Sequence, residues 1–188
     1  EVAEGDYTNM KNYLGTSVKD GANFVDQIQK RGVDINMNGV YDVYDYAFTM
    51  FKLDGGTKQT GAAAGSVRLA PEKEEVKAGE TFRIFVLAEQ TENINAFGKV
   101  IDYDPENLEF ISTEKAEGIA SMADLTVNKL YSDGTAYVNM AFENRGDKPL
   151  YHGDGQLAVI TMKARTDLRP AEEMELGDVL ILGPDQIQ

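Results

Sequence analysis

The 188-residue sequence has no cysteine, no tryptophan and a single histidine, His152. Without cysteine there is no disulfide framework, no thiol nucleophile and no thiolate metal site. One histidine, in Tyr151-His-Gly-Asp-Gly155, gives thin support for a Ser-His-Asp triad. Neither a glycine-rich phosphate loop nor a dinucleotide fingerprint occurs, and no apolar run approaches the ~20 residues that span a bilayer. No leader pattern is visible, as expected of a mature or trimmed secreted chain. Positive charge is scarce too. Eighteen Lys and Arg stand against 32 Asp and Glu, for a formal net charge of −14. Such a surface repels phosphate backbones and anionic membranes, so nucleic acid is not an expected partner. It suits hard cations that want many oxygen ligands, although solubility alone also explains it. Glycosidases need only two carboxylates, but Glu72, Glu74 and Glu75 fall in a charge run typical of a solvated face, and no catalysis is expected.

What remains is ordinary globular material, 42% hydrophobic and 27% charged, enough for one large domain or two small ones. The pattern changes near residue 60. Before it, apolar residues recur at helical spacing and predict helices at about 6–15, 22–31 and 45–53. Tyr7, Met10 and Leu14 share one stripe, and Tyr46, Met50 and Leu53 share another. Asp6-Tyr7 and Leu14 are repeated as Asp45-Tyr46 and Leu53 at an offset of 39. Residues 57–65 have the small, polar, glycine-rich composition of a linker. From 66 to 188, short alternating segments predict strands at 67–69, 81–89, 96–103, 109–113, 126–131, 136–142, 157–164 and 179–182, separated by turns that include Gly153-Asp154-Gly155. Strands so spaced favour an antiparallel sandwich.

The sharpest local signal is Asp34-Ile-Asn-Met-Asn-Gly-Val-Tyr-Asp-Val-Tyr-Asp45. Side-chain oxygens fall at loop positions 1, 3, 5, 9 and 12, from Asp34, Asn36, Asn38, Asp42 and Asp45, with Gly39 at position 6. A chain wrapping Ca2+ needs this register, and Val40 at position 7 would offer its carbonyl. The plainer reading, a polar turn whose side chains cap the next helix, explains Asp45 but not all six positions.

Asp at position 12, with a helix after the loop, resembles dockerin modules, which carry two loop–helix repeats. The resemblance covers about residues 1–56 and implies a small all-α, EF-hand-type calcium module. Only the second repeat is complete; in the first, Glu1 and Val2 would be positions 7 and 8, closed by Asp6. Positions 10 and 11, here Val43 and Tyr44, help select a dockerin's partner. Further on, a strand ending in Tyr103-Asp-Pro105, then Leu108-Glu-Phe110, and later Gly134–Phe142 and Gly155–Ala164, resemble the cohesin sandwich over residues 66–188. Cohesins receive dockerins through a sheet face. The two resemblances together imply a secreted or cell-surface, non-catalytic assembly protein of a bacterial polysaccharide-degrading system. Its expected partners are cohesin- or dockerin-bearing extracellular proteins, with docking inside the chain or between copies as a further option. The rival is a dockerin-linked carbohydrate-binding sandwich of a larger glycoside hydrolase, with a glycan stacked on Tyr103, Tyr131, Tyr137 or Tyr151.

Overall fold

The computed structural model describes residues 4–188. Helix α1 (Glu4–Lys11) is followed by a 3-10 turn (Val18–Asp20) and by α2 (Ala22–Phe24), which widens into a π turn over Val25–Gln29. The third helix, α3 (Val43–Asp54), opens on a reciprocal cap between Asp42 and Asp45. It stops at Gly55, whose φ of 80° only glycine adopts without strain. Its buried stripe is Val43, Tyr46, Ala47 and Met50. Leu53, expected on that stripe, is instead exposed in the last turn of the helix.

Nine strands follow: β1 (Ala64–Pro71), β2 (Thr81–Ile94), β3 (Ala96–Tyr103), β4 (Leu108–Lys115), β5 (Ala123–Asp124), β6 (Val127–Leu130), β7 (Ala136–Glu143), β8 (Tyr151–Ala164) and β9 (Leu180–Leu182). A short helix, α4 (Pro170–Glu173), precedes β9. One sheet runs β1-β2-β8-β4; the other runs β5-β7-β3-β9, with β6 also on β7. Every pairing is antiparallel, so the all-β antiparallel sandwich read from the alternation is the fold of this region. Phe82, Ile84 and Val86 of β2 meet Phe97, Ile101, Met140 and Phe142 of the other sheet in one buried core.

Two local expectations change. Gly153-Asp154-Gly155 is not a turn but part of β8, paired with β2 through Ala88 and Thr91. The misleading signal has a cause: β2 and β8 pair across bulges, where Gln90 and Asn93 take positive φ and Gly153 and Gly155 take φ of 113° and 123°. His152 accordingly sits on a strand, its Nδ1 accepting the Asn93 backbone N–H at 3.2 Å.

The helical segment does not close on a core of its own. Leu14, Tyr41, Val43, Ala47 and Met50 form one cluster with Ala96, Leu125, Ala141, Leu182 and Ile187, on the outer side of the five-stranded sheet. A separate all-α domain was expected; with α1 and α3 sharing few residues between them, the sheet supplies the missing apolar surface. The linker residues are likewise tied to the sandwich. Thr57 donates to Asp147 Oδ1 at 2.9 Å, and Asp185 N–H donates to the Gly61 carbonyl at 3.1 Å.

Phe97→Ala, which empties a fully buried site beside Phe142, is expected to lower the unfolding free energy by ~3–5 kcal/mol, while Ile111→Ala on the exposed side of β4 should change it by ~0.5 kcal/mol or less; urea denaturation measures both.

Candidate functional site

The candidate calcium loop runs from the end of α2 into α3. Its first and last carboxylates staple it from both ends. Asp34 accepts the N–H groups of Asn38 and Gly39, each at 3.1 Å. Asp45 accepts those of Ile35 at 2.7 Å and Asp42 at 3.0 Å. Gly39 makes the reversal with φ 83°. Asn36 and Asn38 cap the loop's own N–H groups, and Asn38 Nδ2 donates to Asp42 Oδ2 at 3.0 Å. Tyr41, between the ligand positions, is fully buried and exchanges backbone bonds with Gly15 and Thr16, which ties the loop to the chain after α1.

Electrostatically the loop is loaded. Burial, with Asp42 and Asp34 nearby, pushes the Asp45 carboxyl up to about 7. Burial also raises Asp42, and Asp34 adds to it. Among the described residues no three Asp, Glu or His side chains already stand together as a metal cluster. The donor set nonetheless fits Ca2+ in kind: all oxygen, at the spacing of a calcium loop, with three carboxylates that a cation would relieve of mutual repulsion. Asp42 and Asp45 also cap α3, so the plainer reading is realised as well. Glu1 and Val2, which would belong to a first loop, lie outside the described residues.

A second feature was less legible: the covered sheet face. On β3 and β7 the outward rows pair Ala96 with Glu143, Gly98 with Ala141, Val100 with Asn139 and Asp102 with Tyr137. All of β7 is buried on both sides. Gly98 sets the spacing, because a Cβ there would meet Val43 Cβ at 3.0 Å and the Met140 carbonyl oxygen at 2.8 Å. Val43, expected to choose a partner, is thus buried against the chain's own sheet; Tyr44 is half-buried and stacks on Phe48 at 6.2 Å. The rim is polar. Lys19 pairs with Asp102, Lys129 donates to the Asn12 carbonyl, and Tyr137 Oη donates to the Leu14 carbonyl at 3.3 Å. The run Ala136-Tyr-Val-Asn-Met-Ala-Phe-Glu143 held the clue, since apolar or small residues occur on both faces of the strand.

The opposite outer face, on the four-stranded sheet, carries exposed ion pairs, among them Arg83–Glu72 at 2.7 Å and Arg165–Glu109 at 3.1 Å. The tyrosines considered for sugar stacking are not a platform. Tyr103, Tyr131 and Tyr137 are buried, and Tyr151 is half-buried with its hydroxyl on the Asp154 carbonyl at 3.2 Å. No described helix is long and apolar enough to cross a membrane.

Compared with known proteins, the chain matches the family model of the cohesin domain over residues 67–181. No curated protein matches it. Among solved structures it is similar to a chain of a type I cohesin–dockerin complex from Clostridium thermocellum, at 20% identity over 57% of this chain and 70% of that one, with a TM-score of 0.41. It is similar to a non-cellulosomal cohesin of the archaeon Archaeoglobus fulgidus, at 15% identity over 64% and 80%, with a TM-score of 0.42. The cohesin module of a family 33 glycoside hydrolase from Clostridium perfringens shares 12% identity over 65% and 87%, with a TM-score of 0.44. The matched segment holds the sandwich core and is more than half of the sequence, so this chain belongs to the cohesin family, whose domains are non-catalytic interaction modules.

Proposed function

We propose that the chain is a scaffolding component of an extracellular bacterial polysaccharide-degrading assembly, whose sandwich takes a dockerin-bearing protein and whose residues 34–45 bind one Ca2+ in a dockerin-like loop. The observation that carries the assembly role is the cohesin sandwich over residues 67–181. The calcium reading is supported by six oxygen positions in register, by Asp34 and Asp45 closing the loop through four backbone N–H groups, and by crowded carboxylates. Asp34, Asn36, Asn38, the Val40 carbonyl, Asp42 and Asp45 would hold the ion. Its contribution is structural: it neutralises the loop and fixes the start of α3, so that binding to the native state alone stabilises that state. Sugar binding has less in its favour, since Tyr103, Tyr131 and Tyr137 are buried and Tyr151 stands alone, half-buried.

Calorimetric titration of chelator-stripped protein is expected to show one Ca2+ site with a gain of helical circular dichroism. At a free concentration of a hundred times Kd, the ion should add ~2.7 kcal/mol to the stability of the segment it orders. Asp34→Ala and Asp45→Ala should each abolish saturable binding; retention of the site in both variants would reduce the loop to a helix cap. For the assembly role, a panel of recombinant dockerin modules is titrated against the full chain. Binding by at least one of them is expected, and failure of every one, in calcium and in chelator, would remove the scaffolding reading.

A further inference from the structure

Asn38-Gly39 is the one Asn-Gly pair in the sequence, and Asn38 stands exposed on the loop between α2 and α3. An asparagine side chain can be attacked at Cγ by the backbone nitrogen of the next residue. The attack is least hindered where that residue is glycine, which has no Cβ beside the nitrogen. Asn36, in the same loop and also exposed, is followed by Met37, whose Cβ crowds the same approach. Around Asn38, three hydrogen bonds reach the reacting atoms one by one. Gly39 N–H donates to Asp34 Oδ2 at 3.1 Å, so a carboxylate already holds the proton that this nucleophile must lose. Val40 N–H donates to Asn38 Oδ1 at 3.0 Å, where negative charge develops as Cγ becomes tetrahedral. Asn38 Nδ2, the leaving amine, donates to Asp42 Oδ2 at 3.0 Å, which turns the amide so that its oxygen meets Val40. A nucleophile with its base, a carbonyl with its oxyanion donor and an oriented leaving group are the parts of an acyl-transfer site.

We propose that Asn38 is a self-modifying site, which its own loop converts through a succinimide to an aspartyl or isoaspartyl residue. Gly39 N bonds to Asn38 Cγ, and its proton passes to Asp34 and then to the departing amide nitrogen. The Cγ–Nδ2 bond breaks and ammonia leaves. Water then opens the ring in one of two ways. Breaking the new bond between Gly39 N and Cγ leaves an aspartyl side chain on an unchanged backbone. Breaking the original peptide bond leaves an isoaspartyl residue, whose main chain runs through Cβ and Cγ and is one atom longer. Nothing is oxidised or reduced, and water is the only co-reactant.

The consequence for a cation rests on the calcium reading of residues 34–45; the modification itself does not. The aspartyl product sets a fourth carboxylate beside Asp34, Asp42 and Asp45. It also replaces the Nδ2 donor that Asp42 now accepts by another acceptor, so the loop's demand for a cation rises. The isoaspartyl product lengthens the chain between loop positions 5 and 6 and breaks the register of the oxygens. The two products therefore move the affinity in opposite directions.

The test incubates the full chain in chelator at pH 7.4 and 37 °C and follows Asn38 by mass spectrometry of the tryptic peptide Gly32–Lys52, beside the same peptide made synthetically. The free peptide has the sequence without the three hydrogen bonds. Asn38 is expected to convert at least tenfold faster in the chain than in the peptide, while Asn36 gains nothing from the fold. Asp34→Asn keeps the shape and removes the base, and should slow Asn38 in the chain by roughly tenfold. Conversion in the chain no faster than in the peptide, or unchanged by Asp34→Asn, would overturn the proposal. Should Asp34→Asn lose α3 by circular dichroism, the ratio of chain to peptide decides alone. Asn38→Asp reproduces the aspartyl product, and calorimetry is expected to show Ca2+ bound at least threefold tighter than by wild type; an unchanged affinity overturns the consequence for the cation. If Asn38 converts as expected but neither wild type nor Asn38→Asp binds Ca2+, the calcium reading fails and the modification stands.

Discussion

A strand covered on both faces cannot afford a charged side chain on either without compensation, and β7 is such a strand. Its inner row of Ala136, Val138, Met140 and Phe142 fills the sandwich, and its outer row of Tyr137, Asn139, Ala141 and Glu143 lies under the helical segment. The arrangement of the remaining elements follows from this double burial. Residues 4–54 lack enough apolar surface to make a core alone, and the outer face of β3 and β7 lacks a solvent-suited coat. Each completes the other, with Gly98 and Ala141 allowing the helix backbone to approach.

The two outer faces of the sandwich are therefore unlike. The four-stranded sheet shows ion pairs to solvent, which hold little stability but keep that face soluble. The five-stranded sheet buries its outer surface under helices through small and aliphatic contacts. A fold that presents one dry face and one charged face has already separated the surface that can dock a helix from the surface that cannot, and the dry one is in use by the chain itself.

The loop at 34–45 joins these two themes. Its last residue, Asp45, accepts the Ile35 and Asp42 N–H groups and caps the helix whose first residue, Val43, reaches the sheet. Whatever neutralises the loop therefore also bears on how firmly α3 begins, and through α3 on its seating against the sheet. The link is short: Val43, the side chain seated on Gly98, directly follows Asp42 and stands two positions before Asp45.

Much of this was legible in the residues. Alternation located eight of the nine described strands, missing the two-residue β5 and the far halves of β2 and β8, because an inward–outward period of two is a local consequence of burying one face. The register of the loop oxygens was equally visible, since it depends only on chain spacing. Beyond reach were the features set by partners far away in sequence. Tyr46 and Met50 face inward as read, but Val43 is buried and Leu53 exposed because the sheet decides which turns of the stripe are covered. Gly153 and Gly155 resemble a turn in isolation and become strand because β2 bulges opposite them. Glu143 looked like any surface acid at a strand end, and only the packing of α3 over it makes it a buried carboxyl. Local periodicity thus determined the sandwich and the loop, whereas the tertiary structure alone decided which face is covered and which charges are taken from water, because desolvation is a property of what packs above a residue and not of the residues beside it.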